Sequence, residues 1–247
     1  MSLKKGLIAT KNYSPNFDLQ KRVNKSIQYI IIHYTGMKKE SNAIKRLCDP
    51  KSKVSSHFFI KNSGEVINLV PELYTAWHAG KSEWKGLKLL NKYSIGIEIN
   101  NPGHDHGYKK FSTKQIFSLI KLLRYLTKKF KIKKKNILGH SDIAPNRKKD
   151  PGEKFPWKKL ASHNLCIWHN LSERKLKKLR AINNLEYYEE REFFENLSII
   201  GYLKLRNNKH KIEKKNLISA FQRKFRQNLI NGKIDQECLL ISRKMSK

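Results

Sequence analysis

The stretch SIQYIIIHYT, residues 26–35, sets three successive isoleucines behind a tyrosine and closes them with His33. A run that is apolar at every position, not at every second one, suits a strand covered on both faces. Covering two faces takes helices, so this segment argues for a sheet inside a helical shell. His33, at the end of that strand, would then stand at the rim of the sheet on a rigid base.

The neighbouring segments fit the same design. SSHFFIKNSGEVINLVP (residues 55–71) reads as a hairpin, with strands over His57–Ile60 and Val66–Val70 and a polar turn through Asn62, Ser63 and Gly64. SIGIEIN (residues 94–100) alternates, with Ile95, Ile97 and Ile99 on one face and Gly96, Glu98 and Asn100 on the other. Ser112 and Gln115 form a capping-box pattern. The helix after it carries Ile116, Leu119, Ile120, Leu123, Leu126 and Phe130 as one apolar stripe. KNILGH (residues 135–140) supplies a short strand ending at His140. The expected class is α/β, a mixed central sheet flanked by helices. All seven prolines lie at or before Pro156, and the rest reads as short helices. This places a boundary at about 165–185, with a small all-α unit after it.

Composition narrows the function classes. No apolar run approaches the length of a membrane span. MSLKKGLIATKNYSP at the start has basic residues but no apolar segment or small-residue cleavage site. As written, the chain is expected in the cytoplasm; with an export signal already removed, it would belong to the periplasm or envelope. Cys48, Cys166 and Cys238 are scattered and odd in number, which suits free thiols better than a disulfide framework. The net charge of +33 invites a nucleic-acid reading. The cations are mostly lysines spread from end to end, with no base-reading helix, so a solvated cationic surface is the favoured reading and no specific nucleic acid is expected.

Two strands thus end in histidine, His33 and His140, and Asp150 follows ten positions after the second. Two imidazoles and a carboxylate around an open position are a ligand set for catalytic zinc. The spacing is long-range and no local metal motif supports it, so structural histidines at strand ends stay open as the plainer reading. Glu98 lies mid-strand opposite three isoleucines, a position where a carboxylate is expected to face a polar site.

In order and spacing, YIIIHYTG, SSHFFIKNSGEV, AWHAGKSEW, SIGIEINNPG and LGHSDIAPNRKKDPGEKFPW resemble blocks of the type-2 N-acetylmuramoyl-L-alanine amidases. That family includes phage amidase lysozymes and peptidoglycan recognition proteins. The resemblance covers about residues 14–170 and implies a zinc amidase domain there. It implies His33, His140 and Asp150 as zinc ligands, Glu98 as the catalytic acid/base and Lys148 as a catalytic lysine. The implied substrate is bacterial peptidoglycan or its muropeptides, cut between N-acetylmuramic acid and L-alanine during wall turnover or muropeptide recycling. Some relatives carry a tyrosine before the histidine of the His57 strand; here it is Ser56, which leaves the proton work to Glu98. His57 is expected to be buried and hydrogen-bonded, Trp77 and His78 to wall the substrate groove, and all three are candidate substrate contacts. His104, His106, His163, His169 and His210 receive no role.

Over residues 180–245, the order IGY, AFQRKF, GKID resembles a small three-helix peptidoglycan-binding module, with Leu217, Ala220, Phe221 and Phe225 on one stripe. A helical appendage that buttresses the catalytic domain is the competing reading. For the whole chain, the rivals to an enzyme are a non-catalytic peptidoglycan receptor on the same fold and a nucleic-acid-binding protein.

Overall fold

The computed structural model describes residues 8–9, 13–204 and 211–247, so His210 lies outside the described residues. In chain order the strands are β1 (Ile8–Ala9), β2 (Phe17–Asp18), β3 (Tyr29–Tyr34), β4 (Phe58–Ile60), β5 (Val66–Asn68), β6 (Thr75–Ala76), β7 (Glu83–Trp84), β8 (Leu87–Lys88), β9 (Ser94–Ile99) and β10 (Ile137–Gly139). The α-helices are α1 (Glu40–Cys48), α2 (Thr113–Phe130), α3 (His140–Ile143), α4 (Trp157–Ser162), α5 (Glu173–Leu179), α6 (Tyr187–Ile200), α7 (Lys211–Phe225) and α8 (Gln236–Met245).

Six strands form one mixed sheet in the order β1-β5-β4-β9-β3-β10. Only the β4/β5 hairpin is antiparallel; the other pairings are parallel. The central strands β3 and β9 are covered on both faces, as the triple isoleucine requires. Alternation along them sorts the side chains. Ile30, Ile32, Ile95, Ile97 and Ile99 pack with the α2 stripe of Leu119, Leu123 and Leu126 in one apolar cluster. At the N-terminus of α2, the Ser112 hydroxyl accepts from Gln115 N–H and the Gln115 side chain accepts from Ser112 N–H.

The opposite face is divided. Towards β10, Tyr29, Ile31 and Leu138 join Phe193, Leu197, Phe221 and Phe225 from α6 and α7 in a second cluster. Towards β5, Phe59 and Ile67 pack with Ala43 and Leu47 of α1 in a third. The helices after residue 170 thus share that second cluster with the sheet. Between these two clusters the same face carries His33 and Glu98, which are register partners on β3 and β9.

Candidate metal centre

Register places the first pair. On adjacent parallel strands, partnered residues point the same way, so His33 and Glu98 emerge side by side from the face between the two clusters. The second candidate ligand comes from the next strand over. β10 ends at Gly139, and His140 opens the short helix α3 instead of finishing the strand. Asp150 is returned to His140 by a backbone bond, Ser141 N–H donating to Asp150 O at 2.8 Å.

Three donor atoms meet there. His33 Nδ1 lies 2.9 Å from His140 Nδ1 and 3.0 Å from Asp150 Oδ2, and His140 Nδ1 lies 3.1 Å from the same oxygen. His33, His140 and Asp150 are all buried and form the cluster able to hold a metal ion among the described residues. The hydrogen-bond network fixes which nitrogens carry protons. The Ser94 hydroxyl donates to Leu90 O at 2.6 Å, so at 3.2 Å it accepts from His78 Nε2–H. His78 Nδ1 is then a lone pair, which accepts from His33 Nε2–H at 3.0 Å. His33 Nδ1 is left without a proton. His140 Nε2–H donates to Ala79 O at 3.1 Å, so a neutral His140 ring carries its lone pair on Nδ1. With both rings neutral, as metal ligands must be, two imidazole lone pairs and a carboxylate oxygen converge at about hydrogen-bond distance with no proton between them. They repel one another unless a cation sits at their centre. A tetrahedral site with bonds of about 2.0–2.1 Å has edges of about 3.3 Å, close to this triangle, so the residues fit zinc.

Electrostatics agree with that assignment. Burial, reinforced by the neighbouring His140, holds His33 down at about 4 despite the adjacent Asp150 carboxylate. Burial works against ionisation of Asp150, but the His140 and His33 rings beside it outweigh that and keep the carboxyl well below its ordinary range. At neutral pH His33 is therefore uncharged and Asp150 ionised.

Glu98 lies apart from the donor cluster. Its Oε2 is buried without a hydrogen-bond partner. Burial, and then the negative charge of Asp150, pushes its carboxyl up to about 8, while Lys148 acts in the opposite direction. Glu98 and Lys148 both line a cleft of about 350 Å³ that opens over the three donors, and so do Trp77 and His78.

One expectation, His57 as a candidate substrate contact, needs correcting. His57 does not line the cleft; it is wholly buried. Its Nδ1 accepts from Gly96 N–H and its Nε2–H donates to Tyr74 O, both at 3.0 Å, so neither nitrogen is free for a substrate. Burial, with the Arg22 cation alongside, holds it at about 3. His78, which lines the cleft, is also largely buried and accepts a bond from His33. Its ring lies against Gly96, where a Cβ would stand 2.7 Å from His78 Nδ1. Ser56 is wholly buried and donates to Phe58 O, so it offers the site no proton.

Sequence reasoning passed over two supports of the site. Arg147 donates to Ala79 O and Lys81 O, tying the loop before Asp150 to the segment that holds His140. His104 stacks on Tyr108 and bonds the Tyr34 hydroxyl at 2.9 Å and Glu153 at 3.1 Å. Tyr108 in turn donates to Pro151 O at 2.6 Å, next to Asp150. The HDHGY segment carries no local pattern that would announce this clamp.

Comparison with known proteins points the same way. A family model described as N-acetylmuramoyl-L-alanine amidase matches residues 23–153. The N-acetylmuramoyl-L-alanine amidase AmiD of Escherichia coli is 32% identical, the alignment covering 96% of this chain and 89% of that protein. The 1,6-anhydro-N-acetylmuramyl-L-alanine amidase AmpD of Haemophilus influenzae is 33% identical over 65% of this chain and 95% of its own length. Among solved structures, the complex of E. coli AmiD with anhydro-N-acetylmuramic acid-L-Ala-D-gamma-Glu-L-Lys superposes with a TM-score of 0.79 at 30% identity, covering 98% of this chain and 97% of that one. AmpDh3 of Pseudomonas aeruginosa in complex with anhydromuramic pentapeptide gives 0.77 at 26% identity, covering 99% and 96%. With its matched region holding His33, Glu98, His140, Lys148 and Asp150, the chain belongs to the N-acetylmuramoyl-L-alanine amidase family.

Proposed function

We propose that this chain is a zinc-dependent amidase that hydrolyses the bond between the lactyl group of N-acetylmuramic acid and the L-alanine of a stem peptide. The observation that carries the reading is the convergence of His33 Nδ1, His140 Nδ1 and Asp150 Oδ2 beneath a cleft that an unpartnered Glu98 oxygen also reaches. Such a donor set leaves a fourth position open. Zinc held by these three residues supplies Lewis acidity toward water and toward the scissile carbonyl. Glu98 takes the proton of the attacking water and returns it to the leaving nitrogen of L-alanine. Its raised proton affinity suits the holding of that proton until it is returned. The Lys148 ammonium stabilises the negative charge that develops on the carbonyl oxygen. His78 and Arg147 hold the ligands and do not react.

The bound molecules in the AmiD and AmpDh3 structures, both anhydromuramic peptides, support muropeptides as the substrate class here. A receptor built on this fold would have no need of a full donor set with a free base beside it. The zinc-loaded chain should be incubated with a purified anhydromuropeptide and the products weighed by mass spectrometry. The expected products are a stem peptide with a free L-alanine amino group and the intact sugar acid. No cleavage, or a cut beyond the L-alanine, would refute the reading.

A further inference from the structure

Asp142 lies two residues after the ligand His140, wholly buried in the single turn of α3 that follows β10 directly. Its carboxylate is fully occupied. Oδ2 accepts from Gly139 N–H at 2.8 Å, closing the turn from within. The other partners come from the C-terminal helices. Lys224 of α7 donates to Asp142 Oδ2 at 2.9 Å and to Ile137 O at 3.1 Å, and Tyr202, just past α6, donates to Asp142 Oδ1 at 2.8 Å. The Lys224–Asp142 pair is almost entirely out of water, with side chains 2% and 1% exposed. The Lys224 ammonium also stands 4.7 Å from the centre of the Trp157 ring. The same ring bounds Gly139 on one side while Pro151, next to the ligand Asp150, bounds it on the other.

We infer that Lys224 and Tyr202 are positioning residues for the metal centre: through Asp142 they fix the turn that presents His140 Nδ1 to the cation. The inference rests on the reading of His33, His140 and Asp150 as the zinc site. It assigns the C-terminal helices a part in building that site, whatever else they bind. A buried ion pair gains little net stability against an apolar substitute, because desolvating both charges offsets their attraction. Here, however, the pair also ends one strand and anchors the helix that opens on the ligand. Ligand geometry of this kind is what outer partners of metal sites control, and losing one typically costs about 10–100-fold in metal affinity.

The test is zinc affinity of the full chain, measured by chelator competition on folded metal-free protein. Tyr202→Phe removes one hydroxyl and Lys224→Met removes the charge at similar length. Both should weaken zinc binding by about tenfold or more. Arg180→Met is the control. It breaks a bidentate pair with Glu237, 2.7 Å for each bond, that holds α5 to α8 and includes no partner of Asp142. It should lower thermal stability while leaving zinc affinity within about twofold of wild type, since Arg180 touches no part of the ligand shell. If Lys224→Met fails to fold, Tyr202→Phe decides alone. Folded variants that bind zinc as tightly as the unaltered chain would overturn the inference, and so would an equal loss in Arg180→Met. Absence of zinc binding in the unaltered chain would instead strike the metal assignment itself.

Discussion

Glu98 and His33 leave neighbouring strands on the same face, yet only the histidine meets the metal donors, and this division sets what each can do. His33 is held by a chain of bonds through His78 and Ser94 that ends on a backbone carbonyl. His78→Leu breaks that chain and frees His33 to change tautomer. Zinc affinity should fall by about 10–100-fold, and ¹⁵N spectra should show His33 Nδ1 partly protonated. His78→Gln, whose carbonyl can still accept from His33, should restore part of the loss. Titration gives a second expectation for the metal-free protein. With Glu98 pushed up to about 8 from an ordinary 4.5, the folded chain keeps a proton through that window which the unfolded chain has released. Its contribution to stability therefore falls as pH rises from about 4.5 to about 8. His33 at about 4 and His57 at about 3 have the opposite sign, because stability is lost as pH falls below their unfolded value of 6.5. Urea denaturation of the metal-free chain should show greatest stability near pH 6.5 and a decline toward pH 8 that Glu98→Gln abolishes. A wild-type profile that stays level to pH 8 would contradict the buried acid.

Strands β3 and β9 and helix α2 were legible in the sequence because their signals are local. A triple isoleucine, an alternating SIGIEIN and a Ser112–Gln115 capping box each act within a few residues, and the structure holds all three. Ser112→Ala should cost about 1 kcal/mol of stability, the usual worth of an N-cap, and leave zinc affinity untouched. His140 was legible as a candidate ligand, but the helix that opens on it was not. That helix is fixed by Asp142 and Lys224, 82 residues apart, and no window of sequence contains both. The role of His78 was hidden for a related reason, since it depends on the space above Gly96. A methyl group there would collide with the His78 ring. Gly96→Ala should therefore reproduce the loss of zinc affinity expected of His78→Leu, while far-ultraviolet circular dichroism shows the sheet intact. An alanine variant that binds zinc normally would show that the ring is free to move.

At the scale of the whole molecule, the helices after residue 170 share one apolar cluster with the sheet, and the surface carries a net charge of +33. None of the helices described is long and apolar enough to cross a membrane. Charge of that size brings the protein toward anionic polymers through screened, non-specific attraction. Any retention on DNA should be sequence-independent and vanish as salt is raised; a salt-resistant preference for one sequence would contradict a merely solvated cationic surface. What separates an enzyme from a receptor on this fold is whether the free base beside the donors moves a proton. Glu98→Gln keeps the shape of the side chain and removes its proton acceptance. The decisive measurement is its kcat on a muropeptide, taken on a preparation whose zinc content is determined. The account predicts full zinc occupancy with kcat lowered by roughly 10²–10⁴. Near-normal turnover in the zinc-loaded variant would contradict it.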